Sequence, residues 1–155
     1  MKKKIKIIAE AGCNHNGKLN LGFKLIDAAK KAGADSIKFQ LFDPDELVTQ
    51  NAPKANYAKK FTKKYKNQYE MQKKICLGHE DQLKLKNYCK KKKIEYLCSA
   101  FDIESLNVLK NFKLQIFKIP SGEINNIQYL KHLGQFKKKY CYLQVCKKKK
   151  KFYLH

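Results

Sequence analysis

Glu10, Lys38, Gln40, Ser99 and Lys118 interrupt or close the apolar runs of this sequence, each near the C-terminal end of its run. Lysine in a strand covered on both faces is rare unless it has a partner. Side chains alternate across a strand, so Lys38 and Gln40 point one way while Ile37 and Phe39 point the other. Lysines, a glutamate and a serine hydroxyl at consecutive strand ends suit the recognition of a phosphate or a carboxylate. A single member could be bland: Lys118 could snorkel from an edge strand, and Glu10 could be a capping carboxylate. The whole set at four strand ends is less easily explained that way. His15, a lone histidine in a polar loop, is weak evidence for chemistry by itself.

Four units repeat one plan that would position these residues: an apolar strand, a polar loop, then an amphipathic helix. The first strand reads as Ile5 to Ala9, and the loop EAGCNHNG follows it. Leu21, Leu25, Ala28, Ala29 and Ala32 recur at helical spacing between Leu19 and Ala32, and Gly33 supplies the stop. The second strand is SIKFQLF, followed by a long polar segment from Asp43 to Asn67. Helical pattern resumes at Tyr69 and runs, with a break near Gly78, to about Lys92. The third strand, IEYLCSAF, leads to a short helix over Ile103 to Asn111. The fourth, QIFKIP, leads through SGEINN to a helix containing Leu130 and Leu133. Such alternation implies parallel strands with right-handed crossovers, in an open doubly wound sheet or in part of an eight-stranded β/α barrel. In both, the loops at the C-terminal strand ends build the site. No G-x-G-x-x-G follows the first strand, which argues against a dinucleotide site.

Composition narrows the partners. With 155 residues the chain has the length of one average domain. Its formal charge of +22 has the sign of a nucleic-acid binder, yet all 35 basic residues are lysine. Phosphate readers favour the bidentate fork of arginine, so the excess reads as a solvated surface rather than a nucleic-acid interface. A basic nucleic-acid-binding module stays as the alternative from another class. The cysteines at 13, 76, 89, 98, 141 and 146 form no CxxC pair and no zinc spacing. Glu10 interrupts the first apolar run too early for a signal peptide. No stretch approaches the ~20 apolar residues that span a bilayer. The expectation is a soluble, reduced, cytoplasmic chain without a membrane partner.

IIAEAGCNHNG, GADSIKFQLF, CSAFD and FKIPSGEINN resemble, in order and spacing, the N-terminal half of the sialic acid synthase family. That family includes N-acetylneuraminate, legionaminate and pseudaminate synthases. The resemblance covers Ile5 to about Phe136. It implies a TIM barrel, of which this chain would hold the first four β/α units, and an enzyme that condenses phosphoenolpyruvate with an N-acetylmannosamine-type sugar. The products would be a nine-carbon sialic acid and phosphate. It further implies a divalent metal, manganese or magnesium, that polarises the sugar aldehyde, and a homodimeric full-length enzyme. By motif, Lys38, Ser99, Lys118 and Ser121 look like phosphoenolpyruvate contacts and Glu10 like the active-site glutamate. Asn14, His15, Gln40 and Glu123 would line the same mouth. The family usually reads Ser-Thr-Pro-Phe where this chain has Cys98-Ser99-Ala100-Phe101; serine keeps the hydroxyl, while loss of proline frees the backbone. The family's metal-binding histidines and an arginine of its C-terminal antifreeze-like domain have no counterpart here. Another phosphoenolpyruvate-condensing sugar-acid synthase is the nearer alternative, although NHNG and SGE argue against it.

The pattern stops in KKKYCYLQVCKKKKKFYLH, where a fifth strand should begin near Lys139. Lys139 to Cys146 can be encoded AAA TAT TGT TAT CTA CAG GTA TG. Read from the last base of the first codon, this becomes ATA TTG TTA TCT ACA GGT ATG, or Ile-Leu-Leu-Ser-Thr-Gly-Met. That is an apolar strand ending in small polar residues, and it resembles the family's fifth-strand motif. The expectation is therefore a barrel half over 1–137 and a frameshifted tail without native structure over 138–155, arising at an A-rich tract. A chain of these residues alone is expected to be inactive and poorly stable, with its last strand an unpaired edge.

Overall fold

The computed structural model describes residues 5–56, 62 and 64–142. Strand β1 is Ile8–Gly12, three residues later than the apolar run predicts. Pairing sets its start: Ile8 stands opposite Ser36, the first residue of β2, Ser36–Leu41. Ile5 and Ile7 precede that partner and are exposed. Helix α1, Leu19–Lys31, lies between β1 and β2, and Gly33 at φ +79° turns the chain out of it. After β2 come a short α2, Pro44–Leu47, capped by Asp43, then α3, Gln68–Ile75, capped by Asn67. Gly78 opens α4, His79–Lys92, at the expected break. β3, Glu95–Ala100, leads to α5, Ile103–Asn111, with the predicted bounds. β4, Ile116–Ile119, leads through a 3-10 turn, Ser121–Asn125, to α6, Ile127–Gly134.

Strands β1, β2 and β3 form one parallel sheet in that order, and β4, in a separate two-stranded sheet, lies alongside β3. Ile37, Phe39, Leu41, Tyr96, Cys98, Ala100, Phe117 and Ile119 project from one face into a single core. Ile26 and Ala29 of α1, Leu85 and Cys89 of α4, Leu106 and Leu109 of α5, and Leu133 of α6 close it. The other face carries Lys38, Gln40, Leu97, Ser99 and Lys118, which alternate with those core residues. Helices on one face and polar side chains on the other make an arc of a β/α barrel, not a doubly wound sheet. At the strand starts, Ser36 donates to Glu95 at 2.6 Å, Lys6 pairs with the same carboxylate, and Asp35 accepts from the Ile7 N–H at 2.9 Å.

Lys139–Tyr142 form β5, parallel to β4, with Cys141 opposite Lys118. A strand thus occupies part of the stretch expected to lack native structure, and β4 is not the unpaired edge foreseen. The reason is physical: ladder bonds are made by the main chain, so an exposed edge takes up an extended segment with little regard to its side chains. The rest of that stretch, 143–155, lies outside the described residues.

Candidate active site

Glu10 does not close β1; it pairs within it, opposite Lys38. The register slips between Glu10 and Gly12, a bulge made possible by Gly12 at φ +49°. The slip aims the Glu10 carboxylate across the strand end, where both oxygens reach Lys38 Nζ, at 2.9 and 2.7 Å. The partners differ in exposure: 11% for the Lys38 side chain and 55% for Glu10.

Ser99 lies on the same face, opposite Gln40 in the β2–β3 register. It is buried, and its hydroxyl has no hydrogen-bond partner among the described residues. Lys118 donates to the carbonyl of Ile119 at 2.6 Å. Burial, and then the charge of Lys38, hold its ammonium below the ordinary lysine range. Two ammonium groups that repel each other, on a face that also carries an unpartnered hydroxyl, form a site that an anion would satisfy.

Gln40 is fixed from both ends. Its side-chain oxygen accepts from Cys13 Sγ at 3.2 Å, and its main-chain carbonyl accepts from Gln82 Nε2 at 2.8 Å. Tyr96 donates to Gln82 Oε1 at 2.6 Å in the buried core. Sequence reasoning missed this clamp. The available signal was Gln82 itself, a polar residue in register with buried Leu85 and Cys89 on α4. Burial pushes the Cys13 thiol up to about 11 and the Cys98 thiol to about 12, so both are protonated and poor nucleophiles at neutral pH.

Not every residue expected at the mouth is there. Asn14 is exposed, but His15 is fully buried, with its ring 6.1 Å from that of Phe39 on the helix side of the sheet. Its Nδ1 accepts from the Gly17 N–H at 3.2 Å, and burial lowers its pKa. His15 therefore holds the loop rather than lining the mouth. Gly17, at φ +70°, passes so close to the Lys74 carbonyl that a Cβ would collide with it. Ser121 is exposed in the turn after β4, and Glu123 accepts from Asn126 at 2.8 Å. No hydrogen bond or ion pair among the described residues joins either to Lys38 or Lys118. Beside Gln40 opens a cavity of about 240 Å³ lined by Phe42, Leu47, Val48, Gln72 and Phe101.

A divalent metal does not fit the described residues. Among the described residues no group of three or more His, Cys, Asp or Glu side chains could hold one, and Glu10 is engaged with Lys38. No helix among them is long and apolar enough to cross a membrane.

A barrel arc that turns two ammonium groups and an unpartnered hydroxyl toward one open face defines a β/α-barrel protein with a basic site at its strand ends. The chain belongs to the NeuB family, whose model matches residues 25–143. It is 45% identical over 137 residues to an N,N'-diacetyllegionaminic acid synthase of Campylobacter jejuni, covering 88% of this chain and 41% of that protein. The synthase of the same name from Legionella pneumophila is 44% identical over 131 residues, covering 84% of this chain and 37% of that one. Among solved structures, the N-acetylneuraminic acid (sialic acid) synthetase of Leptospira borgpetersenii, in complex with citrate, superposes with a TM-score of 0.71 at 32% identity. That match covers 89% of this chain and 44% of the other. The chain thus spans roughly two fifths of the curated relatives it matches, and the resemblance and the barrel fold expected from the motifs are both borne out.

Proposed function

We propose that these residues form the phosphoenolpyruvate-binding half of a nonulosonic acid synthase, which joins phosphoenolpyruvate to an N-acetylated amino sugar and releases phosphate. The observation that carries this reading is the unpartnered, buried hydroxyl of Ser99 on the face shared by Lys38 and Lys118. Phosphoenolpyruvate carries a phosphate and a carboxylate, and two partly dry ammonium groups offset that charge. Ser121, at the turn after β4, would add a hydroxyl from the solvent side. The cavity beside Gln40 supplies amides from Gln40 and Gln72 and rings from Phe42 and Phe101, a lining suited to an acetamido sugar. The two relatives at 45% and 44% identity make the diacetylated legionaminic type the favoured product class. A divalent ion, which would supply Lewis-acid polarisation of the sugar aldehyde, takes its ligands from outside these residues in this reading. The place of action is the cytoplasm, where phosphoenolpyruvate is available.

Titration calorimetry of the 155-residue chain with phosphoenolpyruvate tests the binding half. Saturable binding lost in Lys118→Gln supports it, and identical heats for both proteins would sink it. In the same reading the chain alone releases no phosphate from phosphoenolpyruvate and sugar. A phosphate assay showing turnover would refute that part. The shifted reading of residues after about Lys137 is also proposed here. Its check is the mass of the product in the native cell together with a reread of the A-rich tract. A product more than twice the 18.1 kDa of this chain would make the shift a misread or slippery tract, and a product of this mass alone would make the gene broken there. A sequence downstream of the tract that encodes no further barrel strands in any frame counts against the shift itself.

A further inference from the structure

We propose that Glu10 is a displaceable latch on Lys38: an incoming anion takes over the lysine and releases the carboxylate toward the second reactant. This rests on reading the face of Lys38, Ser99 and Lys118 as an anion site. The pair is lopsided. Lys38 is anchored in the strand with 11% of its side chain exposed, while Glu10 is 55% exposed and is the partner free to move. An ion pair open to water on one side is weak, and a dianion that meets Lys38, Lys118 and Ser99 together replaces it with several charge-assisted bonds.

Gly12, at φ +49°, lies beside the carboxylate: a Cβ there would stand 3.4 Å from Glu10 Oε1, in ordinary van der Waals contact. The remaining anion partners are waiting. Lys118 is held by a neutral carbonyl, and Ser99 by nothing among the described residues. Glu10 thus holds the place of one anionic group without satisfying the site. The release has a direction: the anion binds first, and only then does a carboxylate at the strand end become available to accept a proton or a hydroxyl hydrogen bond.

Two variants of the full 155-residue chain separate a latch from simple charge repulsion. Glu10→Gln removes the charge, whereas Glu10→Asp keeps it on an arm one methylene shorter that cannot grip Lys38 in the same way. Each is titrated with phosphoenolpyruvate and with inorganic phosphate, and far-UV circular dichroism confirms an unchanged fold. The latch predicts that both variants bind ~3- to 10-fold tighter than the parent chain. Tightening in Glu10→Gln alone means general repulsion and overturns the latch, as does unchanged or weaker binding in both. Absence of binding by the parent and both variants would instead remove the anion-site reading, and the latch with it.

Discussion

The two faces of β2 answer to different demands. Ile37, Phe39 and Leu41 are 1%, 0% and 4% exposed and pack under α1 and α4. Lys38 and Gln40, between them in the chain, face the open side and are held by Glu10, Cys13 and Gln82. One face holds the arc together through apolar burial; the other arranges charge and hydrogen bonds with little packing behind it. Stability and binding should therefore respond to different residues only one position apart.

The sharpest way to break this contrast is Phe39→Ala beside Lys38→Gln. Removing a fully buried phenyl ring should cost ~3–5 kcal/mol, enough to unfold a chain of this size. Lys38→Gln should leave the urea midpoint nearly unchanged while weakening phosphoenolpyruvate binding at least ~10-fold, by loss of a charge-assisted contact. A midpoint that moves equally in both variants would erase the distinction. Next in size is Gly17→Ala, which meets both the left-handed φ and the Lys74 carbonyl. It should lose ~2–3 kcal/mol in the same melt without touching the open face.

The pH dependence divides the faces as well. Lys118 has a lowered pKa, and only its charged form draws an anion. Phosphoenolpyruvate affinity should therefore fall as pH rises through that lowered value, earlier than for an ordinary lysine. Lys118→Arg, which stays charged, should carry binding to higher pH. On the helix side, His15 also has a lowered pKa. As pH falls below its ordinary value of 6.5, the unfolded chain takes up a proton that the folded chain refuses, so stability declines until the folded pKa is reached. His15→Leu should remove that acid limb from a melting series. This is the smallest of the expected effects.

Much of this was legible from residue types. Alternation along SIKFQLF assigned Lys38 and Gln40 to one face, and the short helix read over Ile103 to Asn111 has those bounds in α5, where Asp102 accepts from the Ser105 N–H as its cap. β1 came out three residues off because its apolar run says nothing about where β2 begins, and partner position defines a strand. His15 was misplaced for a related reason. A loop carries no period, so the side of the sheet it turns to depends on contacts such as Phe39 and Gly17 that are remote in pattern. Gln82 stayed hidden because its partners, Gln40 and Tyr96, lie on two different strands.

The clasp of Ser36, Glu95 and Lys6 lies at the opposite end of the strands from Glu10, Ser99 and Lys118. The sheet is consequently tied at its root by this clasp and at its tip by the bonds that Cys13 and Gln82 make to Gln40, so its backbone is held at both ends. Amide hydrogens along β2 should exchange slowly beside both Ser36 and Gln40. A guest arriving at the tip would then be met by rearranging side chains, and the news of its arrival would fade before it reached the root.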